Sequence, residues 1–146
     1  MNIIGAIVAG LVGTVVFSAL MRMGPMMGMP KMEIPQVLGG MLPGGTLTGW
    51  VAHFMIGVVW AIIFAALWAA GVGSAGALWG LIFGLGAFVV AGLAMPMMLT
   101  MHPQVKAGPM SNGGILMAGT GMMGLMGSLM VHAIFGLVVG LIYGAF

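Results

Sequence analysis

Two histidines lie at matching positions in apolar segments, and they are the residues best suited to chemistry. His53 and His132 are each followed four residues later by a glycine, Gly57 or Gly136. Because residues four apart share one helix face, each imidazole would stand beside a position with no side chain. Two neutral imidazoles in a membrane could be the axial ligands of one haem b, with the glycines leaving room for the macrocycle. The alternative is structural: each imidazole hydrogen-bonds a facing carbonyl or hydroxyl group and sets the helix register.

Methionine clusters provide a second candidate site. The chain has 19 methionines; Met26 and Met27 belong to one cluster, and Met97 and Met98 belong to another beside His102. Soft thioether sulfurs with a nearby imidazole suit Cu(I). Methionine is also flexible apolar filler, and the segment 110–130 is rich in methionine but contains no histidine. Copper binding and simple packing are therefore both open interpretations.

The charged residues are too few for most enzymatic chemistry. Glu33 is the only acidic side chain, and the sequence contains no cysteine. Paired-carboxylate catalysis, a Ser-His-Asp triad and thiolate chemistry are therefore excluded. The basic residues Arg22, Lys31 and Lys106 form no clustered patch of the kind that binds nucleic acid. We expect a protein that is not an enzyme and has no nucleic-acid partner.

The composition indicates that these candidates lie in an integral membrane protein. Hydrophobic residues make up 62% of the chain and charged residues 3%, whereas soluble domains carry about 25% charged residues. A helix needs about 20 apolar residues to span a bilayer. We predict one all-α transmembrane domain over residues 1–146, a four-helix bundle with spans at 2–21, 49–70, 75–95 and 118–144. The connection 22–48 is expected to hold a short interfacial helix at 33–42.

The two halves of the chain share a pattern of small residues, Phe and Pro at every fourth position. The first series is Gly5, Ala9, Gly13, Phe17, Met21 and Pro25; the second, 71 positions later, is Gly76, Gly80, Gly84, Phe88, Gly92 and Pro96. The His-x-x-x-Gly motif also recurs, at His53 and His132. We interpret this as two tandem helical hairpins related by a pseudo-two-fold axis along the membrane normal. The two histidines would then lie at similar depths in parallel helices.

The orientation follows from the basic residues. All three lie in the connections 22–48 and 96–114. Because cytoplasmic loops are enriched in Lys and Arg, we expect these connections in the cytoplasm and both termini outside, in a prokaryotic cytoplasmic membrane.

Small-residue stripes on all four helices favour close backbone packing, either inside the bundle or between protomers. Our main functional hypothesis is therefore a non-enzymatic accessory or assembly element that packs through its glycine-rich faces, as a homo-oligomer or as a subunit of a larger membrane complex. The alternatives are a haem b electron-transfer protein with His53 and His132 as ligands, and a Cu(I)-binding protein that uses the methionine clusters and histidine.

Several longer motifs resemble a known family. The segments GPMMGMPKMEIPQVLGGML, GWVAHFMIGVVWAIIFAAL, MPMM and SLMVHAIFGLVVGLIYG are similar to those of a small prokaryotic family of four-span membrane proteins of unknown function. The resemblance covers most of the chain and implies the fold and topology. It implies no activity, cofactor or site residue.

Overall fold

A computed structural model of the protein describes residues 1–31, 33–108, 110 and 112–146, and these form an all-helical bundle. In chain order the helices are α1 (Ile3–Met23), α2 (Ile34–Gly39), α3 (Gly45–Ala69), α4 (Ala77–Leu99), α5 (Pro103–Lys106) and α6 (Gly121–Tyr143). Short 3₁₀ helices at Gly24–Met27 and Ile115–Thr120 extend α1 and precede α6. Helices α1, α3, α4 and α6 are long and apolar enough to cross a membrane. The predicted all-α, four-helix membrane architecture is confirmed.

The helix ends differ from the predicted ranges at the connections. α3 begins at Gly45 rather than residue 49, and α4 continues through Pro96 to Leu99 rather than ending at residue 95. A proline inside a helix removes one backbone donor, but the next turn of α4 still closes, with Thr100 N donating to Pro96 O at 3.2 Å. The predicted interfacial helix at 33–42 corresponds to the shorter α2, which has Pro35 in its first turn, a favoured place for proline.

Glycine contacts bring α4 and α6 together at backbone distance. A methyl group added at Gly84 would meet the carbonyl oxygen of His132, and one added at Gly136 would meet the backbone of Gly80 and Gly84. Gly140 faces the Gly76 carbonyl in the same way. In a membrane, where lipid is as apolar as the side chains, such close packing is a main source of helix association.

The two chain termini lie at one end of the bundle. Asn2 N donates a hydrogen bond to Tyr143 Oη at 3.0 Å, and the Phe146 ring covers Gly5. Trp68 stacks on Tyr143 with ring centroids 5.3 Å apart. The two long connections, which contain α2 and α5, are therefore at the opposite end. Which end faces the cytoplasm stays a prediction.

The bundle departs from pseudo-two-fold symmetry at one interface. α1 packs along both α3 and α6, and α4 packs along α6, but α3 and α4 meet at few positions. The predicted axis exchanges α1 with α4 and α3 with α6, so the α1–α6 contact should have an equivalent between α4 and α3. That equivalent is largely missing, and a cavity occupies its place.

Candidate functional site

The cavity has a volume of about 300 Å³ and lies between α3 and α4. α1 and α6 form its inner wall, while α2 and the 3₁₀ segment before α6 border it at the connection end. Ile56 on α3 and Val90 on α4 line it, and both are also exposed on the bundle surface. Because these residues belong to membrane-spanning helices, the cavity opens sideways toward the lipid.

His53 lines the cavity from α3, and its hydrogen bonds assign its protonation. Its Nε2 lies 3.0 Å from Ser18 Oγ on α1, and Ser18 Oγ donates its own proton to Thr14 O at 2.7 Å. Since the hydroxyl proton is already used, Ser18 accepts from the Nε2–H of His53. The neutral imidazole therefore carries its lone pair on Nδ1, which has no hydrogen bond from the described residues.

His132 lines the cavity from α6 and has the opposite tautomer. Its Nδ1 lies 2.7 Å from the carbonyl oxygen of Ser128. A carbonyl oxygen only accepts, so Nδ1–H donates, and the lone pair of the neutral ring is on Nε2. None of the described residues hydrogen-bonds that Nε2. Each histidine thus has one hydrogen-bonded N–H and one free acceptor nitrogen.

Both free nitrogens are accessible. In the described part of the chain, Trp68 Nε1 is the single fully buried side-chain nitrogen or oxygen that lacks a hydrogen-bond partner. His53 Nδ1 and His132 Nε2 also lack partners but are not fully buried, so each retains accessible surface. Both rings line the cavity.

Other polar groups on the wall are also mainly acceptors. Thr14 Oγ1 donates its proton to Gly10 O at 2.7 Å, which leaves only its lone pairs. The Gly92 carbonyl loses its usual helical donor because Pro96 has no N–H. Ser128 is a buried residue that lines the cavity, and none of the described residues hydrogen-bonds its Oγ, so its hydroxyl can donate or accept.

One phenylalanine links the two histidines. The ring of Phe17 lies 5.7 Å from that of His53 and 5.1 Å from that of His132, measured between centroids. Phe88 lies 6.0 Å from His132, at an interplanar angle of 63° that resembles the 57° between Phe17 and His53. Phe17 and Phe88 are equivalent in the sequence pattern. The matching contacts support the tandem repeat, which stays a prediction.

The residues around the histidines do not fit a haem ligated by both of them. Phe17 contacts both imidazoles and occupies space that a macrocycle between them would need. The expected room beside Gly57 is filled by the Thr14 hydroxyl, and the room beside Gly136 is filled by the α4 backbone. The expectation that these glycines leave space for a macrocycle is therefore wrong.

The methionines proposed as copper ligands lie in different environments. Met26 is 87% exposed and Met97 is 73% exposed on the outside of the bundle. Met27 is exposed too, and Met98 lines the cavity.

His102 is not available as a copper ligand in this arrangement. It is fully buried, its Nε2–H donates to Val37 O at 3.1 Å, and its Nδ1 accepts from Gln104 N at 3.1 Å. Both ring nitrogens therefore have hydrogen-bond partners. In the described ranges no three His, Cys, Asp or Glu residues form a metal-binding cluster. His102 instead joins the two connections.

The histidine pair was visible in the sequence, but its hydrogen-bond partners were missed. Ser18 and Thr14 are four residues apart on α1 and share one helix face. Two hydroxyl groups on one face of an apolar span are a signal that could have been used, because buried polar groups in membranes seek partners. The Gly92–Pro96 spacing likewise marks a free backbone carbonyl.

Comparisons with protein-family models, curated proteins and solved structures found no match to this chain. The resemblance to a four-span prokaryotic family therefore stays a prediction.

Proposed function

We propose that this protein binds a lipophilic small molecule in the cavity between α3 and α4. The observation that carries the proposal is the presence of both intramembrane histidines, each with a free ring nitrogen, on the wall of one cavity. Ionisable side chains inside membranes are costly and commonly mark functional sites. Mostly apolar cavities with a few convergent polar groups are the usual form of small-molecule sites.

The position of the cavity favours a ligand that arrives through the bilayer. Its lining includes Ile56 of α3 and Val90 of α4, which are exposed on the sides of two membrane-spanning helices. Its volume of about 300 Å³ is at the lower end of the range of about 300–1,000 Å³ for ligand pockets. This size suits the polar head of a lipophilic molecule whose chain extends into the lipid.

The glycine contacts favour this proposal over an accessory role based on glycine-rich faces. Gly80, Gly84, Gly136 and Gly140 face backbone atoms of a neighbouring helix within the same chain. A residue that is already in backbone contact offers no surface to another protein. The stripes therefore account for the packing of the bundle rather than for a partner.

Photo-crosslinking in reconstituted liposomes tests the proposal. A long-chain alcohol that carries a diazirine is added, and labelled peptides are located by mass spectrometry. We expect labelling at the residues of α3, α4 and α6 that line the cavity, and competition by the unlabelled alcohol.

Two matched variants of α4 separate cavity binding from general contact with lipid. Ala91 lines the cavity, whereas Val89 is 46% exposed and does not line it. Ala91→Phe should reduce labelling of the cavity residues severalfold, and Val89→Phe should leave it unchanged. Uniform labelling of all lipid-facing residues, equal in both variants and insensitive to competitor, would reject the proposal.

A further inference from the structure

We infer that the ligand of this cavity is a hydrogen-bond donor, namely a lipophilic alcohol or phenol, and not a ketone, ester or ether. This inference rests on the proposed function and specifies its ligand class. It follows from the balance of donors and acceptors on the cavity wall.

Acceptors outnumber donors on that wall. Ser18 and the Ser128 carbonyl hold the ring protons of the two histidines, so His53 Nδ1 and His132 Nε2 present lone pairs. Thr14 Oγ1 and the Gly92 carbonyl can also only accept, because the Thr14 proton is bound to Gly10 and Pro96 supplies no donor. Two groups on the wall have a free proton: the hydroxyl of Ser128, and the indole Nε1–H of Trp60, which also lines the cavity and has no hydrogen bond among the described residues.

A hydroxyl ligand complements this arrangement. Its proton can be donated to a histidine nitrogen, and its oxygen can accept from the Ser128 hydroxyl. A carbonyl or ether oxygen could pair only with the hydroxyl of Ser128 or the indole N–H of Trp60, and it would leave both ring nitrogens buried without partners. A site built to hydrogen-bond a hydroxyl group rejects analogues without one, because its own buried polar groups then stay unpaired.

The hydrogen-bond relay behind His53 keeps this polarity fixed. Nε2–H donates to Ser18 Oγ, and Ser18 Oγ donates to Thr14 O, which belongs to the α1 backbone. The chain ends at a carbonyl, which has no proton to return. For His53 to present an N–H to the cavity, Ser18 would have to give up its bond to Thr14 O and donate to Nε2 instead.

A matched pair of photoprobes tests the ligand class. One probe is the diazirine-bearing long-chain alcohol, and the other is its methyl ether, which has the same chain but no proton to donate. The wild-type protein in liposomes should take up the alcohol at the cavity residues about fivefold more efficiently, the factor that corresponds to one net hydrogen bond of about 1 kcal/mol. Labelling of lipid-facing residues outside the cavity, such as Val89, should not discriminate between the probes.

Histidine variants identify the acceptors. In the double variant His53→Phe/His132→Phe, which lacks both acceptor nitrogens, the preference for the alcohol should fall towards one while the ether labelling persists, because Phe retains a ring of similar shape. Val89→Phe is the control and should keep the preference. Equal labelling of the wild-type cavity by both probes would overturn this inference but leave the proposed function standing, whereas no cavity labelling by either probe would overturn the proposed function itself.

The tautomers can be measured independently of any ligand. The chain has 3 histidines, so ¹⁵N spectra of histidine-labelled protein resolve each ring. We expect protonated Nε2 and bare Nδ1 for His53, and protonated Nδ1 and bare Nε2 for His132. In Ser18→Ala the ring proton of His53 should no longer be held on Nε2, while that of His132 should stay on Nδ1. A His132 ring with its proton on Nε2 would overturn the inference even if the variants fold normally.

Discussion

Ser18 on α1 and His53 on α3 form a buried hydrogen bond inside the bundle, with Oγ and Nε2 3.0 Å apart. The residues are 35 positions apart in the chain, so the bond fixes the register of two membrane-spanning helices. It also assigns the His53 tautomer, because Ser18 has already donated its proton to Thr14 O. One contact therefore fixes the packing of α1 against α3 and leaves His53 Nδ1 as a hydrogen-bond acceptor.

Removing this bond should cost a moderate amount of stability. We expect Ser18→Ala to lower the free energy of unfolding by about 0.6 kcal/mol and at most about 1.7 kcal/mol, the range found for hydrogen bonds between membrane helices. A double-mutant cycle with His53→Ala, followed by SDS-induced unfolding in mixed micelles, measures the coupling. Thr100→Ala is the control, because the Thr100 hydroxyl bonds only the local carbonyl of Met97 on an exposed turn. Additive effects of the Ser18 and His53 substitutions would contradict the assigned bond.

Much of this fold was readable from the sequence because composition and helical spacing report on it directly. An almost uncharged chain with four apolar stretches can form few other structures in lipid, where backbone groups must be satisfied within helices. His53 and His132, which the sequence singles out, both have rings next to that of Phe17; that they form a functional site stays a prediction, as does the tandem repeat.

The cavity and the hydrogen-bond partners could not be predicted in this way. A sequence repeat implies equal contacts in both halves, but the structure has a close α1–α6 interface and few contacts between α3 and α4. The space between α3 and α4 results from this asymmetry, which depends on packing of the whole bundle. The role of Gly57 and Gly136 was misread for a related reason. Their spacing shows that a helix face carries small residues, but it does not show whether a helix or a cofactor lies against that face.

Two glycines of α4 should respond oppositely to the same substitution. A methyl group at Gly84 would meet the His132 carbonyl and the Gly136 backbone, whereas one at Gly86 meets nothing within 4 Å. Backbone atoms cannot rotate away, so Gly84→Ala should destabilise the protein by about 1–3 kcal/mol through overpacking. Gly86→Ala should be neutral or stabilise it by up to about 1 kcal/mol, because alanine is the better helix former. SDS unfolding curves of the two variants measure both effects, and equal curves would refute the α4–α6 backbone contact.

Trp68 offers a test of a buried donor at the terminal end of the bundle. Its ring stacks on Phe83 and Tyr143 at centroid distances of 5.5 and 5.3 Å, but its Nε1 has no hydrogen-bond partner among the described residues. An unpaired buried donor costs about 1–3 kcal/mol, so Trp68→Phe relieves that cost while it loses ring area. We expect a net change in the free energy of unfolding below about 1 kcal/mol, against a loss of about 3–5 kcal/mol for Trp68→Ala. A large loss in Trp68→Phe would mean that the indole N–H has a partner.

His102 should act as a structural link between the connections rather than as a metal ligand. Its two ring nitrogens bond Val37 O and Gln104 N, each at 3.1 Å, and its side chain is 1% exposed. His102→Ala removes both bonds and should speed amide hydrogen exchange in α2 and α5, while exchange in the centre of α3 stays slow.

The same variant separates the structural role of His102 from metal binding. Gln104→Ala is the matched control, because Gln104 contributes its backbone N–H to the His102 bond, which alanine retains. A protein that uses His102 as a copper ligand would instead lose Cu(I) affinity in His102→Ala, and its α2 exchange would slow when Cu(I) is added. We expect no effect of Cu(I) on that exchange, since neither ring nitrogen of His102 is free to bind the ion without breaking the link to α2.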